Sequence, residues 1–412
     1  MKETLHSKNK IVNDPVYGLI NIPSKPIYDI IEHPHFQRLR RIKQLGLTDY
    51  VYPGAVHTRF QHTLGAVHLL TSAINVLKSK NIEITVDEEK AATLAILLHD
   101  IGHGPFSHSL EYIIIKKYGH EELSLLFMES LNKEFDGELD LAIKIFKNQY
   151  HKKFLHQLIS SQLDVDRLDY LRRDSFYTGV SEGIVGSDRI IKMLNVVNDQ
   201  LVVEAKGIHS IEKFLISRWL MYWQVYLHKT VVSTEQLLIN IFKRVKYLIN
   251  QKKDIYLTKE LKFFLNNPNS DTSDISIVLN NFSAIDDSDI LGSLKRWANS
   301  SDKVLSMLSE KLLNRKLLKI EIQDTPFEES KISKLKKDAS SLLNLTEQEV
   351  DFFVFTDHIS KNAYSTFDDK IQILYKNGTI VDVAEASDML NISVLSKTVR
   401  KYFLCYPKEI DI

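Results

Sequence analysis

The 412-residue chain contains a single cysteine, Cys405. A disulfide within the chain is therefore excluded, and so is a metal site built from thiolates. Any bound metal ion must take its ligands from histidine, aspartate or glutamate side chains.

Long apolar runs are also missing. Residues 1–6 hold no apolar segment typical of a signal peptide. No stretch approaches the run of about 18 apolar residues that suggests a membrane span. We therefore expect a cytoplasmic protein that does not associate with membranes.

A net charge is absent as well, because Lys plus Arg and Asp plus Glu both number 53. This balance removes any global electrostatic reason to bind nucleic acid, so nucleic acid is not an expected partner. One local basic run, 38–43, is either an anion site or the solvated face of a helix. Its spacing leaves both interpretations open.

Hydrophobic periodicity predicts a mainly α fold. Apolar residues recur at steps of three and four from Leu64 to Leu77, which is typical of an amphipathic helix. The predicted helices cover 34–45, 60–77, 91–99, 105–118, 121–131, 138–148, 151–160, 208–248 (as one or two helices), 288–314 and 331–341.

The pattern changes after residue 250. Residues 271–283 are predicted to be a polar connection, and strands are predicted at 317–322, 352–355 and 371–375, the last before an Asn377–Gly378 turn. We therefore predict two domains, which are a helical core that carries the motifs, 1–250, and a smaller α+β C-terminal lobe, 251–412.

The segment 99–108 reads His-Asp-Ile-Gly-His-Gly-Pro-Phe-Ser-His. The apolar run just before it predicts a buried helix, which would deliver His99 and Asp100 to its C-terminal end. Such groups are costly at the end of a buried helix unless they are paired or coordinated. The segment therefore indicates a metal-dependent hydrolytic centre.

Further ligands must come from other helices. His62, at the start of the 60–77 helix, and Asp166, in a second acidic motif, are the candidates. Imidazole and carboxylate ligands suit a divalent ion such as Mn, Mg, Fe, Zn, Ni or Co, and leave positions open for water and a phosphate oxygen.

Two stripes of polar side chains predict a nucleotide slot. One helix face carries Asp166, Tyr170 and Asp174, spaced i, i+4 and i+8 over roughly 12 Å. A later helix repeats the spacing with an arginine and two tyrosines, Arg218, Tyr222 and Tyr226. Either stripe alone would more often be core packing, but both beside a metal motif favour a nucleotide site.

The segments 59–62, 99–108 and 164–170 together resemble the HD-domain phosphohydrolase superfamily. Within it, the chain is similar to the deoxynucleoside triphosphate triphosphohydrolases, a group that includes the human SAM-and-HD-domain dNTPase and bacterial relatives. The resemblance implies an HD-domain helical core for 1–250. It also implies a metal held by four residues, His62, His99, Asp100 and Asp166.

The same resemblance implies roles in binding a deoxynucleoside triphosphate (dNTP). Three arginines match positions that hold the triphosphate: Arg59, Arg167 and Arg218. Tyr170 and Asp174 match residues that read the deoxyribose, with the aspartate bonded to the 3′-hydroxyl.

Other positions match residues around the sugar and the base. Gln44 and Tyr226 match residues that close on the sugar and exclude a 2′-hydroxyl. Tyr222 stands where the human enzyme has a histidine, which leaves its contacts with the base open.

The remaining histidines are implied to face the phosphate. His103, His108 and His120 match residues beside the phosphorus under attack, with His108 protonating the leaving 5′-oxygen. Glu111, one helical turn after His108, is expected to orient that imidazole.

The expected partners are a dNTP substrate and further copies of the chain, as a dimer or tetramer. Gln37 and Arg40 resemble residues that bind a nucleotide effector at a subunit interface, although the 34–43 segment could also only pack in an oligomer.

The predicted function is metal-dependent hydrolysis of dNTPs to deoxynucleoside and inorganic triphosphate. Two alternatives stay open: an HD phosphohydrolase acting on nucleoside monophosphates or cyclic nucleotides, and a catalytically weak nucleotide sensor. The three arginines argue against a monophosphate, which needs fewer cationic contacts. The intact set of metal ligands argues against a sensor.

Overall fold

Helices dominate the computed structural model, which describes residues 10–267, 274–361, 364–365, 370–388 and 397–410. In chain order the helices are α1 Lys25–Glu32, α2 Pro34–Gln37, α3 Arg59–Ser79, α4 Val86–Leu98, α5 Ser107–Leu110, α6 His120–Glu134, α7 Asp140–Phe146, α8 Lys153–Ile159, α9 Val165–Thr178, α10 Ser187–Met193, α11 Ile208–Met221, α12 Lys229–Asn250, α13 Lys259–Asn266, α14 Ile275–Ser283, α15 Asp287–Trp297, α16 Lys303–Leu313, α17 Glu329–Leu343, α18 Glu347–Val350 and α19 Val383–Ala386. Short 3₁₀ turns cover Arg38–Arg41, Thr48–Tyr50, Ser181–Gly183 and Ala205–Gly207, and a π-helical turn covers Tyr222–Tyr226.

Within the described residues, the strands form three small sheets. They are β1 Lys10–Asp14, β2 Gly18–Ile22, β3 Leu194–Val197, β4 Gln200–Glu204, β5 Lys319–Gln323, β6 Phe355–Lys361, β7 Gln372–Leu374, β8 Ile380–Asp382 and β9 Val399–Tyr406. The first two make a hairpin, the order of the second sheet is β3-β4-β7-β8, and that of the third is β5-β9-β6. Among the strands of the described residues, only β4 and β7 pair in parallel.

The helices that carry the motifs begin at capping residues. At the start of α4, Glu88 accepts a hydrogen bond from the Thr85 amide, and its own amide donates to the Thr85 hydroxyl. Asp164 caps α9 by accepting the amide hydrogen of Arg167, and the helix ends at Gly179, whose φ is +74°. Since α3 packs against both α4 and α9, the motif-bearing helices meet at one place.

The mainly α fold class is confirmed, and most predicted helices occur within a few residues of their expected bounds. The stretch 208–248 forms two helices, α11 and α12, with the π-helical turn before the break. The Asn377–Gly378 turn joins β7 to β8, with Gly378 at a φ of +84°. Part of the predicted connection 271–283 lies outside the described residues, at 271–273.

Several local predictions were wrong. The helix expected over 34–45 is a short α2 followed by a 3₁₀ turn, because Ile42 is extended and Lys43 bridges to Thr58. The helix expected over 105–118 is only α5, since Tyr112 has a φ of +58° that a helix does not accommodate. Residues 275–283 form α14 instead of a connection, and the strand expected at 352–355 begins at residue 355 as β6.

One hydrophobic core cluster extends from Ile20 to Cys405. It includes buried residues on both sides of the predicted domain boundary at residue 250, and β7 of the C-terminal lobe pairs with β4 of the core. The division into two domains stays a prediction.

Candidate active site

Three side chains from three helices form a cluster that could hold a metal ion: His62, His99 and Asp166. His62 lies in the first turns of α3, His99 caps the end of α4, and Asp166 lies in the first turn of α9. The Oδ1 atom of Asp166 is 3.0 Å from Nε2 of His62 and 3.5 Å from Nε2 of His99.

The chemistry of this cluster fits a divalent ion. Both Nε2 atoms are buried, and the carboxylate of Asp166 lies near them without forming a well-aligned hydrogen bond. Buried nitrogens are costly unless something satisfies them. Two imidazoles and a carboxylate are suitable ligands for a divalent transition metal, and three protein ligands leave positions for water or substrate.

Asp100, the fourth predicted ligand, lies beside the cluster but mainly contacts other groups. Its Oδ2 accepts a hydrogen bond from Arg59 Nη1 at 2.6 Å, and its Oδ1 is 3.2 Å from Nε2 of His103. It is also 3.4 Å from His99 and 3.7 Å from His62.

The charges in the cluster depend on one another. Burial by itself disfavours protonation of His62, but contacts with Asp166 and Asp169 outweigh it and raise the pKa of His62 to about 10. Burial also disfavours the charged form of Asp166, yet the two histidines hold the pKa of that carboxyl well below its usual range. A bound cation would take over this role by replacing the histidine protons.

A buried chain of charged groups supports His62 from behind. Nδ1 of His62 lies 2.7 Å from Oδ2 of Asp169, which also accepts a hydrogen bond from Arg173 Nε at 2.9 Å. Arg173 in turn donates to Asp14 at 2.7 Å. Gly65 leaves room for this chain, because a Cβ atom there would lie 2.0 Å from Oδ1 of Asp169.

A cavity of about 500 Å³ lies beside the cluster. It is lined by Gln44, Leu45, Gly46, Thr48, Arg59, Asp100, His103, Phe106, Ser109, His120, Asp166, Tyr170, Asp174, Tyr222, Tyr226, Leu227 and Glu235. Most residues that the sequence predicted for the site therefore line one cavity. Of the predicted site residues whose side chains the structure describes, five are not among the lining residues: His62, His99, Glu111, Arg167 and Arg218.

Asp174 is held at the wall of this cavity by two neighbours. Its Oδ2 accepts a hydrogen bond from the Tyr226 hydroxyl at 2.7 Å, and its Oδ1 is 2.7 Å from Nε2 of His57. The ring of Tyr226 packs edge-on against the rings of Tyr170 and Tyr222, with centroids 6.2 and 5.6 Å away. This part of the wall is therefore aromatic around one buried carboxylate.

Two predicted arginines have buried guanidinium nitrogens that make no hydrogen bond. Arg167 pairs with Asp164, while its Nε is buried without a hydrogen bond. Arg218 lies 5.8 Å from the ring centre of Tyr222, and its Nε and Nη1 atoms are buried without hydrogen bonds. Such nitrogens are suited to an anionic ligand.

Two predicted histidines stack at the cavity. The ring centroids of His103 and His120 are 4.1 Å apart, and Nδ1 of His120 lies 2.7 Å from Glu111. Burial opposes the charged form of His120, but the Glu111 carboxylate outweighs it and raises the pKa of His120. Burial and the charge of Arg59 keep the pKa of His103 well below its usual range.

Glu111 was expected to orient His108. In the structure the Glu111 carboxylate accepts hydrogen bonds from the backbone amide and the ring of His120. The backbone of His108 lies in α5, but its side chain lies outside the described part of the structure, so its role stays a prediction.

A buried guanidinium fixes the loop that carries His103. Arg38 donates to the carbonyl oxygens of Ile101 and His103, at 3.3 and 2.7 Å, and to that of Ile285 at 3.0 Å. Burial lowers the pKa of Arg38 to about 9. At Arg38, therefore, neither interpretation of the basic run 38–43 applies. This side chain is not free to bind an anion, and it does not face solvent.

The residues predicted for an effector contact each other. Arg40 donates to the Gln37 side chain at 2.8 Å and lies 3.6 Å from the ring centre of Phe60.

Sequence reasoning missed several residues of the site: Asp14, Leu45, Gly46, Thr48, His57, Phe106, Ser109, Asp169, Arg173, Leu227 and Glu235. Asp169 gave a signal, because it lies inside the 164–170 motif and four residues before Arg173. Glu235 gave none. It lines the cavity from α12, where burial raises the pKa of its carboxyl to about 7 despite a hydrogen bond from Ser109.

Among the described residues, no helix is both long and apolar enough to cross a membrane.

Comparison with known families places two matches along the chain. Residues 59–174 match the HD domain, and residues 185–258 match the HD associated region. The first match covers α3 to most of α9, and so includes the three residues of the metal cluster.

Individual proteins are similar to this chain over different shares of its length. An uncharacterized protein of Bacillus subtilis, YwfO, is 31% identical over 98% of this chain and 93% of its own length. A Dictyostelium discoideum protein named as a deoxynucleoside triphosphate triphosphohydrolase SAMHD1 homolog is 32% identical over 57% of this chain, which spans 49% of that protein. The crystal structure of a phosphohydrolase from Bacteroides thetaiotaomicron is 55% identical, with a TM-score of 0.91 over 97% of this chain and 100% of that one.

Proposed function

Because the chain belongs to the HD-domain family of phosphohydrolases, we propose that it hydrolyses dNTPs to deoxynucleoside and inorganic triphosphate. The observation that carries this proposal is one cavity, lined both by Asp166 of the metal cluster and by Asp174 of the aromatic wall. The Dictyostelium relative is named for this activity.

The cationic groups support a ligand with several phosphates. Arg59 lines the cavity and donates a hydrogen bond to Asp100. Arg167 and Arg218 have buried nitrogens without hydrogen bonds. A triphosphate supplies many acceptor oxygens, so it could satisfy all three guanidinium groups, whereas a monophosphate offers fewer.

The other part of the cavity suits a neutral sugar. The buried carboxylate of Asp174 would repel a phosphate, but it accepts a hydrogen bond from a hydroxyl group. The rings of Tyr170 and Tyr226 pack against each other beside it. A nucleotide would therefore bind with its phosphates towards the arginines and its sugar hydroxyl towards Asp174.

The metal ligands would be His62, His99 and Asp166, with Asp100 beside them. A divalent ion bound there would polarise a phosphate oxygen and lower the pKa of an attacking water. Arg59 would stabilise negative charge on the phosphate, and the imidazolium of His120, held by Glu111, would add a second positive charge. Protonation of the leaving 5′-oxygen by His108 is proposed from the family resemblance.

Product analysis tests this function. The purified chain would be incubated with each dNTP and NTP in the presence of Mn²⁺, Mg²⁺, Co²⁺ or Fe²⁺, and the products separated by anion exchange. We expect deoxynucleoside and triphosphate from dNTPs, and no products from the Asp166→Ala variant, which lacks one metal ligand.

Other products would replace the proposal. Orthophosphate from nucleoside monophosphates, or opening of cyclic nucleotides, would indicate another HD phosphohydrolase. Binding without turnover in every metal would indicate a nucleotide sensor.

We also propose that the chain forms a dimer or tetramer in the cytoplasm, and that a nucleotide effector could bind near Gln37 and Arg40. Light scattering during a dNTP titration tests this. A constant mass with a hyperbolic rate per subunit would contradict activation by an effector.

A further inference from the structure

His57 lies just before α3, outside the segments that resemble the family motifs, and it is only 1% exposed. Its Nε2 atom is 2.7 Å from Oδ1 of Asp174. Since Tyr226 donates to the other oxygen of that carboxylate, each oxygen of Asp174 has one neighbour that fixes its position. The plane of the carboxylate is therefore set by two contacts from separate elements of the fold.

The orientation of the His57 ring is itself restrained. The ring stacks on Tyr177, with centroids 4.4 Å apart and planes 18° apart. The Tyr177 hydroxyl accepts a hydrogen bond from Gln61 at 3.0 Å. Gly54 lets this region pack closely, because a Cβ atom there would lie 2.4 Å from the Tyr177 carbonyl oxygen.

The bonding pattern indicates which nitrogen of His57 carries the hydrogen. Nδ1 is buried and makes no hydrogen bond. A buried, unpaired N–H group costs more than a buried lone pair at an imidazole nitrogen, and a carboxylate requires a donor. The hydrogen bonds of His57 are therefore best satisfied when its Nε2 carries the hydrogen and donates it to Asp174.

The backbone of His57 fixes a second residue of the cavity. Its carbonyl oxygen accepts a hydrogen bond from the backbone amide of Gln44 at 2.9 Å, next to the isolated β-bridge between Lys43 and Thr58. Gln44 and Asp174 both line the cavity, from segments far apart in the chain. His57 thus contacts two residues that line the cavity, Gln44 through its backbone and Asp174 through its ring.

We propose that His57 is a positioning residue that makes the site select ligands with a sugar hydroxyl at Asp174. Two of the acceptor positions of the carboxylate are used by His57 and Tyr226, and the remaining ones are available to a ligand in the cavity. Without the His57 contact, the carboxylate can rotate away from the hydroxyl. This proposal rests on the proposed function, because it takes a deoxynucleotide as the ligand.

The test compares dGTP with 2′,3′-dideoxy-GTP, which lacks the 3′-hydroxyl. We expect wild-type protein to favour dGTP in kcat/KM, and His57→Leu to reduce that preference about tenfold, the usual effect of losing one hydrogen bond to a charged group. His57→Gln, whose Nε2 can still donate to Asp174, should recover much of the preference. The kcat/KM for dideoxy-GTP should stay nearly unchanged in both variants, whereas general structural damage would lower it with that for dGTP.

The outcomes separate the two proposals. If wild-type protein hydrolyses dGTP and His57→Leu keeps the full preference, the role of His57 is wrong and the proposed function stands. If wild-type protein hydrolyses neither nucleotide, its affinities for dGTP and for dideoxy-GTP are compared by calorimetry. Equal affinities of wild-type protein for both, or no binding, would overturn the role of His57 together with the proposed function.

Discussion

Asp169 lies 2.7 Å from Nδ1 of His62 and holds the opposite nitrogen of that ring towards Asp166. A hydrogen bond to one imidazole nitrogen selects the tautomer that leaves the other free as a ligand, and it makes that nitrogen more basic. Because Asp169 is itself paired with Arg173, its carboxylate stays charged while fully buried. The orientation of a metal-cluster side chain thus depends on a residue that touches neither the cavity nor the cluster centre.

The first prediction concerns metal affinity. Asp169→Asn should weaken Mn²⁺ binding about 10- to 100-fold, the usual effect of removing a carboxylate that orients a ligating histidine. Isothermal titration calorimetry measures it. Asp188→Asn, at a side chain that is 81% exposed, serves as the control and should bind Mn²⁺ as the wild type does. Unchanged affinity in Asp169→Asn would show that Asp169 does not support the cluster.

The second prediction uses two helical glycines. Gly65→Ala should lower the free energy of unfolding by about 1–3 kcal/mol or more, since the new methyl group would displace the buried pair of Asp169 and Arg173. Gly292→Ala in α15 has open space around it, so it should raise stability by up to about 1 kcal/mol. Urea unfolding of both variants gives the comparison, and equal effects would contradict the packing argument.

The third prediction concerns pH and His120. Because Glu111 raises the pKa of His120 in the folded state, protonated His120 adds stability that is full below the unfolded pKa of about 6.5. That stability is lost as pH rises through the folded pKa. Glu111→Gln should therefore reduce the loss of unfolding free energy between pH 6 and pH 9, as measured in urea.

The same variant should alter catalysis if the imidazolium is the active form. Its kcat/KM should begin to fall at a lower pH than that of the wild type on the alkaline side. Coincident pH–rate profiles would argue that His120 acts uncharged.

The fourth prediction concerns pH and Glu235. Burial raises the pKa of Glu235 to about 7. The folded state therefore loses stability as the pH rises from the unfolded pKa of this carboxyl, about 4.3, to pH 7. Glu235→Gln removes this cost, and the variant should melt at a higher temperature than the wild type at pH 8 but not at pH 4.5. A difference in melting temperature that does not change with pH would contradict the titration of Glu235.

The sequence predicted the parts of the site that follow from local pattern. The apolar period of three and four residues located α3, and the apolar run before His99 located the end of α4. His62, His99 and Asp166 could be identified because ligand chemistry restricts the residue types and the motifs place them at helix ends. The cluster brings these three together.

Local pattern failed where backbone geometry interrupts it. The 105–118 segment has helical composition, yet Phe106 and Tyr112 take φ values of +46° and +58°. Phe106 is held there because its amide donates to Asp287, a contact across 181 positions of sequence. No window of neighbouring residues contains that information.

By itself, then, the sequence determined the helical class of the protein and the residue types from which a metal centre could be built. Only the tertiary structure decided that Asp100 turns towards Arg59, that His57 and Tyr226 hold Asp174, and that Glu235 lines the same cavity. The physical reason is that periodicity and capping act over a few residues, whereas these contacts join segments 41 to 117 positions apart. Such pairings are set by how buried helices pack, and burial is also what makes each polar contact strong enough to orient its partner.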